Sequence, residues 1–255
     1  MTIAPITSVT PIAHIALVTG GAGGLGRAVI ARLNQAGVQC AAVSRNGERL
    51  AGSAAAATVV ADVSTMDGAQ AAVAQCRATL GLPTVLVHCP GSILLAPAHR
   101  TTEAQWRATL AANLDSAFFT QRAWTAAMLE EKAAGAAVFV STVAAQIGVA
   151  NHEAVAAAKG GVEAMVRSAA ATYAAQNLRF NAVATGLMDT PLASGLLRTD
   201  ALREASAKQY PVGGLGTPEE LADLIAWLVG DTARRVTGQV WTVDGGFTAI
   251  RPLVR

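Results

Sequence analysis

The chain has 255 residues, enough for one large α/β domain with a sizeable core. Its 19 basic and 17 acidic residues nearly cancel and form no block of like charge, which argues against nucleic acid or an anionic membrane surface as a partner. Hydrophobic residues make up 52% of it, but alanine carries much of this, and no uninterrupted apolar run reaches the roughly 18 residues of a membrane span.

The opening stretch "MTIAPITSVTPIAHIALVTGG" lacks a basic n-region and a true apolar h-region, so it reads as a short arm leading into a strand, and a cytoplasmic location is expected. Apolar runs rich in β-branched residues follow at "HIALVTG", "QCAAVSR", "ATVVADV", "TVLVHCPG", "AAVFVST", "LRFNAVATG" and "GQVWTVDGG", with helical stretches between most of them. These alternations predict a Rossmann-type three-layer α/β fold: a seven-stranded parallel sheet with helices on both faces. The stretch "GRAVIARLNQAGV" has helical periodicity and ends on Gly37, a plausible residue just past a helix end. The Ala-rich patch "AGSAAAATVV" is taken as a trimmed helix or loop after the second strand, and "TTEAQWRATLAANLDSAFFTQRAWTAAMLEEKAAG" as two helical pieces or one long bent helix. Cys40, Cys76 and Cys89 are odd in number and lack metal-ligand spacing, so they are expected to be small buried side chains, and no metal site is expected. No repeat or linker divides the chain, and residues 1–255 are read as one nucleotide-binding domain.

The glycines of "LVTGGAGGLGRAVI" lie between the first strand and the first helix. There Gly20, Gly24 and Gly26 permit a tight turn, close approach of backbone to a pyrophosphate, and close packing of helix on strand. The helix start then offers unpaired N–H groups and a positive dipole end to the phosphates. The second strand ends at Ser44 and Arg45, where an NAD-preferring site offers an acid to the ribose 2′-hydroxyl. Serine can donate to a 2′-phosphate and arginine can pair with it, so NADP(H) is favoured over NAD(H).

With these features the chain resembles the classical short-chain dehydrogenase/reductase family, and is similar to 3-oxoacyl reductases within it, from about Ile15 to "VDGG" at 243–246. "TGGAGGLG", including Gly21 and Leu25, fits the family's glycine motif. "ADVS" supplies Asp62 and Val63 at the adenine-contacting pair, and "LAANLDSAFF" supplies Asn113 at the catalytic asparagine. "HCPG" replaces the usual Asn-Asn-Ala-Gly but keeps Gly91, and Thr185-Gly186 replaces Pro-Gly but keeps Gly186. His88 is read as a structural residue in place of asparagine. Met188 and Thr190 match positions whose backbone and hydroxyl hold the nicotinamide amide. The resemblance implies a dimer or tetramer, a carbonyl or alcohol substrate, and a variable substrate lid around 187–214 whose Leu, Ala and Met content suggests an apolar wall.

The departure lies on the catalytic helix. In the family a tyrosine passes the proton, a lysine four residues later lowers its pKa and holds the nicotinamide ribose, and a serine about a dozen residues upstream orients the substrate oxygen. Lys159 is present, Thr142 stands at the serine position with Ser141 beside it, but the tyrosine position holds Val155. Slipping the alignment by one brings in Ala154 or Ala156, neither of which titrates. His152 lies three residues before Val155 and shares its helical stripe if the helix begins that early, making it the candidate acid; in family members, however, that segment is a loop bordering the substrate. Tyr173 and Tyr210 are poorer substitutes, Tyr210 the less so. Two functions remain open: an NADP(H)-dependent oxidoreductase with a relocated or relayed proton donor, or a cofactor-binding protein with little turnover that acts as a sensor or structural partner.

Overall fold

Alternating side chains in the apolar runs give each strand two buried faces, and the chain meets that demand with a parallel sheet covered on both sides. The computed structural model describes residues 14–251; the expected N-terminal arm lies outside the described residues except for its last few positions. The strands are β1 (Ile15–Thr19), β2 (Gln39–Ser44), β3 (Ala57–Val60), β4 (Val85–His88), β5 (Gly135–Thr142), β6 (Leu178–Thr185) and β7 (Val240–Val243), in spatial order β3-β2-β1-β4-β5-β6-β7. Every pairing is parallel.

The helices are α1 (Gly24–Gln35), α2 (Met66–Thr79), α3 (Glu103–Leu110), α4 (Ser116–Glu130), α5 (Glu153–Tyr173), α6 (Asp200–Ala207) and α7 (Pro218–Val229). Leu17, Val43, Leu86, Phe139 and Phe180 point to a core shared with α2, α4 and α5. On the same strands Val18, Ala42, Val87, Val138 and Val183 point to a second core shared with α1 and α7. Trp124 anchors the first core, fully buried, edge-on to Phe180 and donating its indole N–H to the Pro83 carbonyl at 2.6 Å.

The stretch from Thr102 to Glu130 is both of the things the sequence left open: two helices, α3 and α4, joined without a break by a π turn over Ala111–Asp115. The Ala-rich patch forms no helix of its own; a short 3₁₀ turn, Glu48–Leu50, precedes it, and its last residues enter β3. Gly37 has φ +80°, the left-handed conformation expected just past the end of α1.

Candidate active site

The sheet order reverses between β1 and β4, whose connections leave in opposite directions and open a crevice at the carboxyl ends of the strands. A cleft of about 390 Å³ occupies that end of the sheet. On its β1 side Gly20, at φ +68°, turns the chain so that Gly26 packs tightly beneath it; a Cβ on Gly26 would meet the Gly20 carbonyl oxygen at 2.3 Å. Gly21 is buried and its N–H donates to the Val43 carbonyl at 3.0 Å, tying the turn to β2. The residue capping α1 is Gly23, which has no side chain to bond the first-turn N–H groups, and Gly23, Gly24, Leu25 and Gly26 line the cleft. This arrangement suits a phosphate.

Ser44, Arg45, Asp62 and Val63 stand outside the deep cleft, at the ends of β2 and β3 on the same side of the switch point. Ser44 Oγ accepts the Asn46 N–H at 3.2 Å, and Arg45 is exposed. Asp62 Oδ1 accepts from Ser64 Oγ at 2.7 Å and from Ser64 N–H at 3.0 Å. Those bonds, with Arg45 nearby, hold its carboxyl below the usual range.

On the other side, Gly91, Asn113 and Lys159 meet: a Cβ on Gly91 would lie 3.1 Å from Asn113 Oδ1 and 3.6 Å from Lys159 Nζ. The Lys159 ammonium is buried and donates to the carbonyls of Val140 at 2.8 Å and Pro90 at 3.2 Å. Burial pushes it down to about 8. Asn113 sits in the π turn with its amide fully engaged, donating to Thr109 O at 3.0 Å and Ser92 Oγ at 2.9 Å and accepting Ser92 N–H at 3.2 Å. Its side chain therefore fixes the loop that carries Gly91 and Ser92.

The two hydroxyls at the end of β5 have different employment. Ser141 donates to the buried carboxylate of Glu163 at 2.8 Å, which also receives Gln146 Nε2 at 3.3 Å. Thr142 Oγ1 accepts the Ala144 N–H at 3.4 Å and reaches the Thr185 carbonyl at 3.5 Å, both long contacts with no charged group among them, so its hydroxyl can turn to a ligand. His152 caps α5, directly before its first residue Glu153, and lines the same cleft as Val155 and Lys159. Its Nδ1 lies 2.8 Å from the Ala150 carbonyl. A carbonyl only accepts, so Nδ1 carries the hydrogen and Nε2 is left for other work.

Val155 is 7% exposed, and nothing on it titrates. Tyr173 is remote, packed on Phe180 with ring centroids 5.8 Å apart. Tyr210, by contrast, lines the cleft, where its oxygen accepts the Leu187 N–H at 2.7 Å. His88 is fully buried between Thr19 Oγ1 at 2.9 Å and Ser116 Oγ at 3.2 Å, and burial holds it neutral, well below the usual histidine range. It is a structural residue. Cys89 lines the cleft as well, but burial pushes its thiol up to about 12, which keeps it protonated. Gly186, Met188 and Thr190 border the cleft from the end of β6, and a Cβ on Gly24 would meet Thr190 Cγ2 at 3.2 Å, so this segment closes directly over the first turn of α1. Ser92, Glu163 and Phe247 escaped sequence reasoning; Ser92 and Phe247 directly follow Gly91 and "VDGG", while nothing in the sequence marks Glu163. Among the described residues no cluster of His, Cys, Asp or Glu could hold a metal ion, and no helix is long and apolar enough to cross a membrane.

Comparison with known proteins adds sequence and shape. Residues 20–248 match the family model described as enoyl-(acyl carrier protein) reductase. The cis-4-hydroxycyclohexanecarboxylate dehydrogenase of Sinomonas cyclohexanicum is 36% identical over 245 residues, covering 93% of this chain and 97% of that protein. The inactive 2-(S)-hydroxypropyl-CoM dehydrogenase 2 of Xanthobacter autotrophicus is 36% identical over 225 residues, 85% of this chain and 97% of its own length. A solved structure, a short-chain type dehydrogenase/reductase from Mycobacterium ulcerans, superimposes with a TM-score of 0.86 at 29% identity, covering 92% of this chain and 89% of that one.

Proposed function

Because the chain belongs to the short-chain dehydrogenase/reductase family, we propose that it is an NADP(H)-dependent oxidoreductase that interconverts a carbonyl compound and its alcohol, with His152 in the role that Val155 cannot fill. The observation that carries this reading is the convergence on one cleft of the uncapped start of α1 with Lys159, Asn113, Thr142 and His152. The residues present fit a dinucleotide: glycine N–H groups for the pyrophosphate, Asp62 and Val63 for the adenine, Ser44 and Arg45 for a 2′-phosphate, and Gly186, Met188 and Thr190 for the nicotinamide end. When bound, the nicotinamide supplies or accepts the hydride.

Lys159 grips the ribose hydroxyls, and Asn113 keeps the Gly91–Ser92 loop in place beside it. Thr142 donates a hydrogen bond to the substrate oxygen. In reduction the carbonyl carbon would take the hydride while the oxygen takes a proton from Nε2 of a doubly protonated His152, which returns to the Nδ1–H form, and an alcohol results; in oxidation the bare Nε2 accepts the alcohol's proton. The segment 187–214 acts as the substrate lid over a single domain, and the working form is a cytoplasmic homodimer or homotetramer.

The test is NADPH consumption against ketones, aldehydes and 3-oxoacyl thioesters. His152→Ala is expected to lower kcat by about 10² to 10⁴ while leaving NADPH affinity intact, and adding Val155→Tyr is expected to return part of it. A second reading, a cofactor-binding protein without turnover, is favoured by Val155 alone. Wild-type protein that binds NADPH yet consumes none with any substrate would establish it. On the cofactor itself, NADPH should bind more tightly than NADH and Arg45→Asp should reverse the order, as read by fluorescence titration; a wild-type preference for NADH sinks the assignment.

A further inference from the structure

Resting on the oxidoreductase reading, we propose that the substrate is an uncharged, largely hydrocarbon carbonyl compound or its alcohol, with no anionic group inside the cleft. Of the side chains that line the cleft among the described residues, Lys159 alone is a lysine, arginine, aspartate or glutamate. It is not available to a substrate anion, since it lies deep, is held by the Val140 and Pro90 carbonyls, and faces Gly91 and Asn113 at the cofactor side. In the segment after β6, Arg203 is engaged by Asp189 and Lys208 by Glu204, both outside the lining.

The apolar part of the remaining wall comes from four separate parts of the chain. Ile93 follows β4, Val143 and Val149 lie between β5 and α5, Leu192 and Leu196 follow β6, and Phe247 closes the C-terminal side. Four segments far apart in sequence thus present hydrocarbon to one space, and Val155 adds its isopropyl group where the family has a phenol. His152 is committed to the reacting oxygen, and the neutral polar groups Ser206, Gln209 and Tyr210 can bond a hydroxyl or a second carbonyl but cannot neutralise a carboxylate or phosphate elsewhere on the substrate. An anion entering this space would lose its hydration without a counter-charge, whereas an alicyclic or branched ketone would bury its carbon skeleton on matching surface.

The experiment uses the full chain saturated with NADP⁺ for binding and with NADPH for turnover. It compares 4-methylcyclohexanone with 4-oxocyclohexanecarboxylate, which are similar in shape and differ in charge. Calorimetric Kd and kcat/KM should each favour the methyl ketone by at least about tenfold, the least expected of an uncompensated buried charge. Ile93→Arg, which places a cation at the rim, should narrow or invert that ratio. Equal or reversed preference in the wild type overturns the proposal, as does an Ile93→Arg variant whose ratio is unchanged, because shape rather than charge would then be excluding the anion. If neither ketone consumes NADPH but calorimetry keeps the preference, the substrate class stands and the oxidoreductase reading falls. If neither ketone binds, the class is wrong.

Discussion

An ammonium taken out of water loses hydration that two backbone carbonyls only partly replace, so Lys159 loses its proton at about 8 in the folded chain instead of near 10.5. Between those two values the unfolded chain binds more protons than the folded one, so stability rises with pH across that window. Below it the penalty for keeping Lys159 charged is fully present, on the order of 3 kcal/mol. Without cofactor, Lys159→Met should therefore unfold at higher denaturant than wild type at pH 7 and lack the wild type's rise above pH 8; a variant that keeps that rise would assign it to another group. The same residue scale separates Thr142 from Ser141. Adjacent residues of a strand face opposite ways, and only the side of Ser141 carries a carboxylate to claim its hydroxyl. Both hydroxyl residues were visible in the sequence, but Glu163, 22 positions away, decides which of them a carboxylate claims.

At the scale of elements, the segment after β6 is joined to the body through Tyr210. Its ring lies against Gly186, where a Cβ would meet Cε1 at 2.8 Å, and its oxygen accepts the N–H of Leu187. Tyr210→Phe removes that acceptor and leaves a partly buried N–H without a partner, at a cost of about 1 to 2 kcal/mol. The expected readouts are faster amide exchange at Leu187 and a raised KM with kcat nearly unchanged; exchange equal to wild type would show that the hydroxyl does not hold the segment. The α3–α4 run makes a related point. Its periodicity fits two helices or one bent helix, and a π turn satisfies both because it adds a residue without interrupting the helix. Asn113 sits in that turn and bonds Ser92, so the irregular turn is also where the loop beside Lys159 is fastened. Periodicity alone carries no trace of that bond.

For the molecule as a whole, α4 leaves Phe118 49% exposed and Leu129 39% exposed, and this supports association through the long helices α4 and α5. Light scattering should give a dimer or tetramer, and Phe118→Asp a smaller species; a monomeric wild type excludes the association. The sequence by itself determined the layered sheet, the glycine turn after β1 and the presence at residue 155 of a side chain that cannot titrate, because each is written in local periodicity or in the identity of one side chain. The tertiary structure alone decided that His152 keeps Nε2 free, that Ser141 rather than Thr142 is claimed by a carboxylate, that Tyr210 borders the cleft, and that Lys159 is the one lysine, arginine, aspartate or glutamate lining it among the described residues. Each of these depends on which carbonyls, carboxylates and amide groups from distant segments meet one another, and that meeting is set by the order of the strands about the switch point rather than by any stretch of chain read alone.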